Sequence, residues 1–157
     1  MTPTLRQQYL GMRIVHGGLL APLAIYGALA FAIVRPQPHP LDPRLLCAIF
    51  GAISLALVAI VVPLVRKKML PELRDSGTPL DLAQPIPPTS VKSLNSLRAA
   101  SILTWALCES TAMFGLVVAF ITGEPRYYPP FAAFALIAMV IYRPTRALFD
   151  SVIRASS

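Results

Sequence analysis

Hydrophobic residues fall in four blocks: Ile14 to Val34, Leu45 to Val65, Ala99 to Thr122 and Tyr128 to Tyr142. Polar, proline-bearing stretches separate them. A hydrocarbon core of about 30 Å, crossed at about 1.5 Å per residue, takes roughly 20 residues. Three blocks reach that length, and the short fourth one is expected to continue past Arg143. The pattern therefore predicts an all-α integral membrane four-helix bundle forming a single transmembrane domain over residues 1–157.

The linkers carry their own signals. Arg35-Pro36-Gln37-Pro38-His39-Pro40 ends the first span, because successive prolines cannot continue a helix, and Pro43 leads into the second. Residues 66–97 hold Pro71, Pro79, Pro85, Pro87, Pro88 and Gly77, which predicts an extended cytoplasmic Pro-rich loop without a domain of its own. Gly123-Glu124-Pro125-Arg126 makes a second outer turn. Beyond it, Tyr127 and Tyr128 suit the headgroup zone, and Pro129-Pro130 suits a helix's first turn. Tyr142, Arg143 and Arg146 mark the opposite interface. Residues 146–154 place Leu148, Phe149, Val152 and Ile153 on one side at helical spacing, predicting a short amphipathic helix on the inner membrane surface.

Composition agrees with an apolar solvent, since 55% of residues are hydrophobic and only 13% charged, more apolar surface than a soluble domain of this size hides. A net charge of +7 would suggest nucleic acid in a soluble protein, but the basic residues follow the blocks instead. Eleven of the 14 lie in the N-terminus, the central loop and the C-terminus; Arg35, Arg44 and Arg126 lie in the other two loops. Under the positive-inside rule both termini and the central loop face the cytoplasm, in a bacterial cytoplasmic (inner) membrane. No nucleic-acid motif accompanies these residues. The lipid bilayer is the expected partner, including anionic headgroups.

Cys47, at the outer end of the second block, and Cys108, near the middle of the third, differ too much in depth to be bridged and are expected to be free. Ala28-Leu29-Ala30 has the small-x-small form of a signal-peptidase site after Arg6 and Arg13. The apolar run continues past it to spanning length, so the first block is expected to stay as a span.

Glu109 lies about halfway along the uncharged run from Ala99 to Thr122, where an ionised group costs at least about 2.5 to 3.5 kcal/mol. On that helix Cys108, Ala112, Gly115 and Ala119 form a seam of small side chains, and Gly17, Ala21, Ala24 and Ala28 repeat its spacing on the first span. The expected contact is first helix against third, with Glu109 facing the gap left by Ala21. Expected partners of the carboxyl are Ser110, Thr111 and Thr104 on its own helix and His16 on the first. Such a group rests as the neutral acid and ionises when water or a cation arrives, as a proton- or cation-binding site requires. The same carboxyl would alternatively fix the bundle by bonding between helices.

Trp105, four residues before Glu109, is placed to wall it off, while His39 has no second ligand at metal spacing. No nucleophile with a base, phosphate-binding glycine loop or carboxylate pair is present, so neither enzyme activity, cofactor nor metal is expected. Ala24-Ile25-Tyr26-Gly27 parallels Ala112-Met113-Phe114-Gly115, as two parallel helix-hairpin repeats would, with Ala21 matching Glu109.

The run from Ala106 to Val118 resembles the carboxylate-bearing helix of the rotor-ring c subunit of rotary ATPases. That resemblance implies that Glu109 carries a proton or sodium ion. The partner helix of that family is glycine-repeated, whereas the second span here offers Gly51 and Ala52, and a long proline-rich loop replaces its tight polar one. Over its whole length the chain looks like a set of small bacterial four-span membrane proteins. Ala106-Leu107-Cys108-Glu109 and Tyr142-Arg143-Pro144-Thr145-Arg146 carry that likeness, which implies a fold and no activity. Two functions are in play: binding or relay of a proton or small cation, as a homo-oligomer joined through the small-residue seams, or a non-transporting membrane subunit or assembly factor that engages a partner through its central loop and tail.

Overall fold

The computed structural model describes residues 4–35, 42–69, 81, 85–86 and 88–154. Among these the chain is helical, and its only extended pairing is an isolated bridge between Thr4 and Pro85. The helices are α1 (Leu5–Gly18), α2 (Ala21–Ile33), α3 (Pro43–Ala56), α4 (Val62–Met69), α5 (Val91–Thr122), α6 (Tyr128–Ile141) and α7 (Arg146–Arg154). Three stretches are long and apolar enough to cross a membrane: Leu5–Ile33, Pro43–Met69 and Val91–Thr122. A fourth, Pro125–Ile141 with Arg146–Arg154, qualifies when both sides of its 47° bend count as one span. Residues 70–80, 82–84 and 87 of the central proline-rich stretch, and His39, lie outside the described residues.

Prolines account for the breaks in the long helices. Pro22 has no N–H, and its ring clashes with the carbonyl four residues back, at Gly18. The chain responds with a turn at Leu19-Leu20, where Leu20 N–H donates to Gly17 O at 3.1 Å, separating α1 from α2. Pro63 makes the same conflict with Ala59, and the five residues Leu57–Val61 widen into a π-type turn that joins α3 to α4. Helix starts follow ordinary capping chemistry. Thr4 and Gln7 exchange side-chain bonds in a capping box, and Asp42 Oδ1 accepts from Arg44 N–H at 2.9 Å ahead of Pro43.

The axis of the molecule is α5, a continuous helix of 32 residues and therefore about 48 Å long. It touches every other helix and buries 44% of its most apolar window, against 11% in each of the other two long stretches. Its far end stops at Gly123, which takes the left-handed conformation at φ 66° and leaves Glu124 N–H to bond Ala119 O at 3.1 Å. At the opposite end it begins at Val91 and not Ala99, and α4 runs on to Met69, so helix occupies both flanks of the stretch expected as loop.

Three apolar clusters follow one another along α5. At the basic end Leu94 and Leu97 pack with Leu5 and Met12 of α1 and with Phe149, Val152 and Ile153 of α7. The middle cluster joins Trp105 and Cys108 to Val62, Ala138 and Met139. At the far end Ala112 and Ala119 meet Ala30, Val34, Tyr128 and Ala135. The tail forms a helix over residues 146–154, α7, and its apolar residues Phe149, Val152 and Ile153 pack against α1 and α5, where the sequence suggested that lipid would cover them. Both cysteines are free.

The small-residue seam is also corrected on the first span. Gly17, Ala21, Ala24 and Ala28 are exposed, and Leu23, Tyr26, Ala30 and Val34 face the interior instead. Across the turn at Leu19-Leu20 these inward residues continue at helical spacing from Met12, His16 and Leu19, so the small-residue stripe keeps its register and lies on the outward face. Turning α2 inward on its larger residues also buries more contact area than an alanine stripe would. On α5, Cys108, Ala112, Gly115 and Ala119 are all buried, and the helix that comes closest is α6. A Cβ on Gly115 would lie 2.5 Å from Phe131 Cβ, so hydrogen there sets the spacing of the two helices.

Three glycines rank themselves for substitution by alanine. Gly115→Ala is expected to destabilise by about 1 to 3 kcal/mol, because Phe131 Cβ cannot rotate away and the helices must part. Gly27→Ala meets only the Tyr128 ring at 3.2 Å and should cost less; Gly51→Ala meets nothing within 4 Å and should be neutral or gain up to about 1 kcal/mol of helix propensity. Thermal or denaturant unfolding in detergent checks the order, and an equal effect at Gly115 and Gly51 contradicts the packing described.

Candidate functional site

Glu109 projects from the middle of α5 toward α2 and is half-buried. Its Oε1 accepts a hydrogen bond from the Tyr26 hydroxyl at 2.9 Å, a side-chain bond between helices that are 83 residues apart in sequence. Tyr26 is the only side chain of α2 with a hydrogen-bonding group, in the run Ala-Pro-Leu-Ala-Ile-Tyr-Gly-Ala-Leu-Ala-Phe-Ala-Ile. Its position is itself secured. Gly27, next in sequence, lets the Tyr128 ring approach, and the Tyr128 hydroxyl donates to the Leu23 carbonyl, tying α6 to the same stretch of α2.

The other expected partners of the carboxyl lie elsewhere. Ser110 Oγ donates to the Ala106 carbonyl of its own helix at 2.9 Å. Thr104 and Thr111 are buried, and their hydroxyls have no partner among the described residues. At about 100° per residue, positions five before and two after Glu109 fall on the far side of α5, which is why neither threonine reaches it. His16 also takes a different role: its ring packs against Trp105 with centroids 4.7 Å apart, and no bond joins it to Glu109 among the described residues.

Trp105 holds this neighbourhood together. It is 1% exposed, one turn before Glu109, and its Nε1 donates to the Tyr142 carbonyl at 3.2 Å, where α6 ends. Tyr142 in turn donates to the Val58 carbonyl in the widened turn at 3.4 Å, and the Arg66 guanidinium lies 5.2 Å from its ring. Glu109 therefore has Tyr26 on one side and a fixed aromatic wall below. Among the described residues no three His, Cys, Asp or Glu side chains gather as metal ligands.

The arrangement does one thing chemically. The tyrosine hydroxyl donates to Oε1 whether the carboxyl is neutral or ionised, and the donation strengthens when the acceptor is charged. No protein-family model matches the chain, and neither curated proteins nor solved structures show a match to it.

A double-mutant cycle of Tyr26→Phe and Glu109→Leu measures the bond. Membrane-protein cycles of this kind average about 0.6 kcal/mol and reach about 1.7 kcal/mol, and a coupling within that range is expected from unfolding in detergent. Strict additivity of the two substitutions would mean that the hydroxyl and the carboxyl do not interact.

Proposed function

We propose that this chain is a multi-pass inner-membrane protein, a bundle of four spans with both termini cytoplasmic, in which Glu109 and Tyr26 form a membrane-embedded proton-binding site. The 2.9 Å bond between Tyr26 and a carboxyl midway along an uncharged span carries the reading. An acidic residue at this depth adds at least about 2.5 to 3.5 kcal/mol to insertion when ionised. A purely structural hydrogen bond is available from serine, threonine or asparagine at lower cost. The carboxyl is half-buried.

The pair favours a proton over a metal cation. One carboxylate and one phenol supply fewer oxygens than the six or more that hard cations gather, whereas a proton needs one. The competing reading, a subunit that docks a partner through its tail, gains nothing from α7, whose apolar residues are already engaged by α1 and α5. The exposed stripe of Gly17, Ala21, Ala24 and Ala28 is where self-association would bring copies of the chain together.

An apolar carbodiimide reacts with a protonated carboxyl in a lipid-accessible site. Modification of Glu109 in the reconstituted wild-type protein is expected, with loss of that adduct in Glu109→Gln, read by peptide mass spectrometry. Vesicles carrying a potassium diffusion potential and an internal pH dye should acidify faster with the wild type than with Glu109→Gln. A wild-type Glu109 that resists the reagent, together with equal proton flux in both proteins, overturns the proposal.

A further inference from the structure

At the basic end, where α6 bends into α7, a cavity of about 630 Å³ opens beside α1. Arg13 of α1, Arg143 of the bend and Arg146 at the start of α7 line it, together with Tyr9, His16 and Thr145. Three guanidiniums from separate segments around one space repel each other unless an anion joins them. Asp150 meets Arg146 at a loose 3.8 Å. Arg13 rests over the Tyr9 ring at 6.0 Å from its centroid, which steers its fork without neutralising it. Thr145 Oγ1 accepts from Leu148 N–H at 3.3 Å, fixing the chain where it enters α7. The His16 Nδ1 is buried and has no partner.

Two features give the ligand a second, apolar part. Val140 and Gly17 also border the cavity and are exposed, and the adjoining surface carries Ile14 at 73% exposure, Ile137 at 57% and Ile141 at 68%. A greasy, uncovered strip therefore runs from the arginines along α1 and α6 toward the middle of the molecule. Arginine forks match the planar pairs of oxygens on phosphate, and a phosphate attached to acyl chains fits both halves of the surface.

We propose that this cavity is a binding site for the phosphate of an anionic phospholipid, held among Arg13, Arg143 and Arg146 with its acyl chains along the exposed isoleucines of α1 and α6. The proposal rests on the membrane-spanning part of the reading above and is independent of proton binding at Glu109. Its role would be to brace the α6–α7 bend against α1. The Trp105 neighbourhood would be braced with it, since His16 both lines the cavity and packs on that ring.

The chain's single tryptophan gives the readout. Protein is reconstituted in phosphatidylcholine vesicles containing a small fraction of phospholipid brominated near the glycerol end of its chains, either phosphatidylglycerol or phosphatidylcholine. Brominated phosphatidylglycerol is expected to quench Trp105 preferentially. The preference should fall about fivefold for each of Arg13→Gln and Arg143→Gln, the effect of one basic residue at an anionic surface. Arg126→Gln, at the other end of the molecule, should leave it unchanged. Equal quenching by the two lipids, or an equal loss in Arg126→Gln, overturns the site. Reversal of the quenching by millimolar inorganic phosphate assigns it to a soluble phosphate instead and overturns the lipid. Vesicle flotation separates the underlying reading: a protein that floats with phosphatidylcholine but shows no preference sinks only this inference, whereas one that does not float sinks the spanning assignment as well.

Discussion

The hydrogen bond between Tyr26 and Glu109 is the constraint around which the rest of the structure is arranged. A carboxyl at the middle of an apolar helix needs a donor, and here the donor is the Tyr26 hydroxyl. Only a side chain from a neighbouring helix reaches it, so α2 must lie against α5 with its one polar residue turned inward. With Tyr26 turned inward, Ala21, Ala24 and Ala28 face outward and Ala30 is buried. The same rotation places Gly27 where the Tyr128 ring can pass, which in turn seats α6. The inward face of α2 continues that of α1, whose buried residues Leu5 and Met12 serve the basic end.

The molecule divides along α5 into a site and two supports. Toward the far end, the Gly115–Phe131 approach locks α5 to α6 with little slack. Toward the basic end, Trp105, Tyr142 and Val58 link α5, α6 and the widened turn by hydrogen bonds to backbone carbonyls. Those carbonyls are available because prolines and helix ends have removed their usual partners. Breaks in the helices thus supply the acceptors that buried aromatic side chains require. Ser54, Thr104 and Thr111 form the opposite case, buried hydroxyls with no partner among the described residues.

Much of this was legible from residue order, and what was not has physical reasons. The apolar blocks mark the long helices, because spanning length is a one-dimensional property. The tail helix is readable over 146–154 because its apolar spacing is helical, but the sequence does not say whether protein or lipid covers that face. Glu109 stands out by charge alone. Its partner does not: Tyr26 reads as one more aromatic in a membrane segment, and choosing it over His16 requires the rotation of α2. The signal was present all the same, since a lone hydroxyl in a thirteen-residue apolar helix is the counterpart of a lone carboxyl. The small-residue stripe on the first span is real, but spacing alone does not say which face of a helix turns inward, and here the larger Leu23 and Tyr26 do. Thr104 and Thr111 were grouped with Glu109 by nearness in sequence, when helical periodicity sets them on the opposite face.

The most direct measurement is the infrared carbonyl band of a protonated carboxylic acid in reconstituted wild-type protein, assigned by its loss in Glu109→Gln. The account predicts that this band, read in the protonated form, is lowered in frequency by the tyrosine hydrogen bond and shifts to higher frequency in Tyr26→Phe, where that donor is gone. A band absent from the wild type, or one whose position ignores the tyrosine, would contradict it.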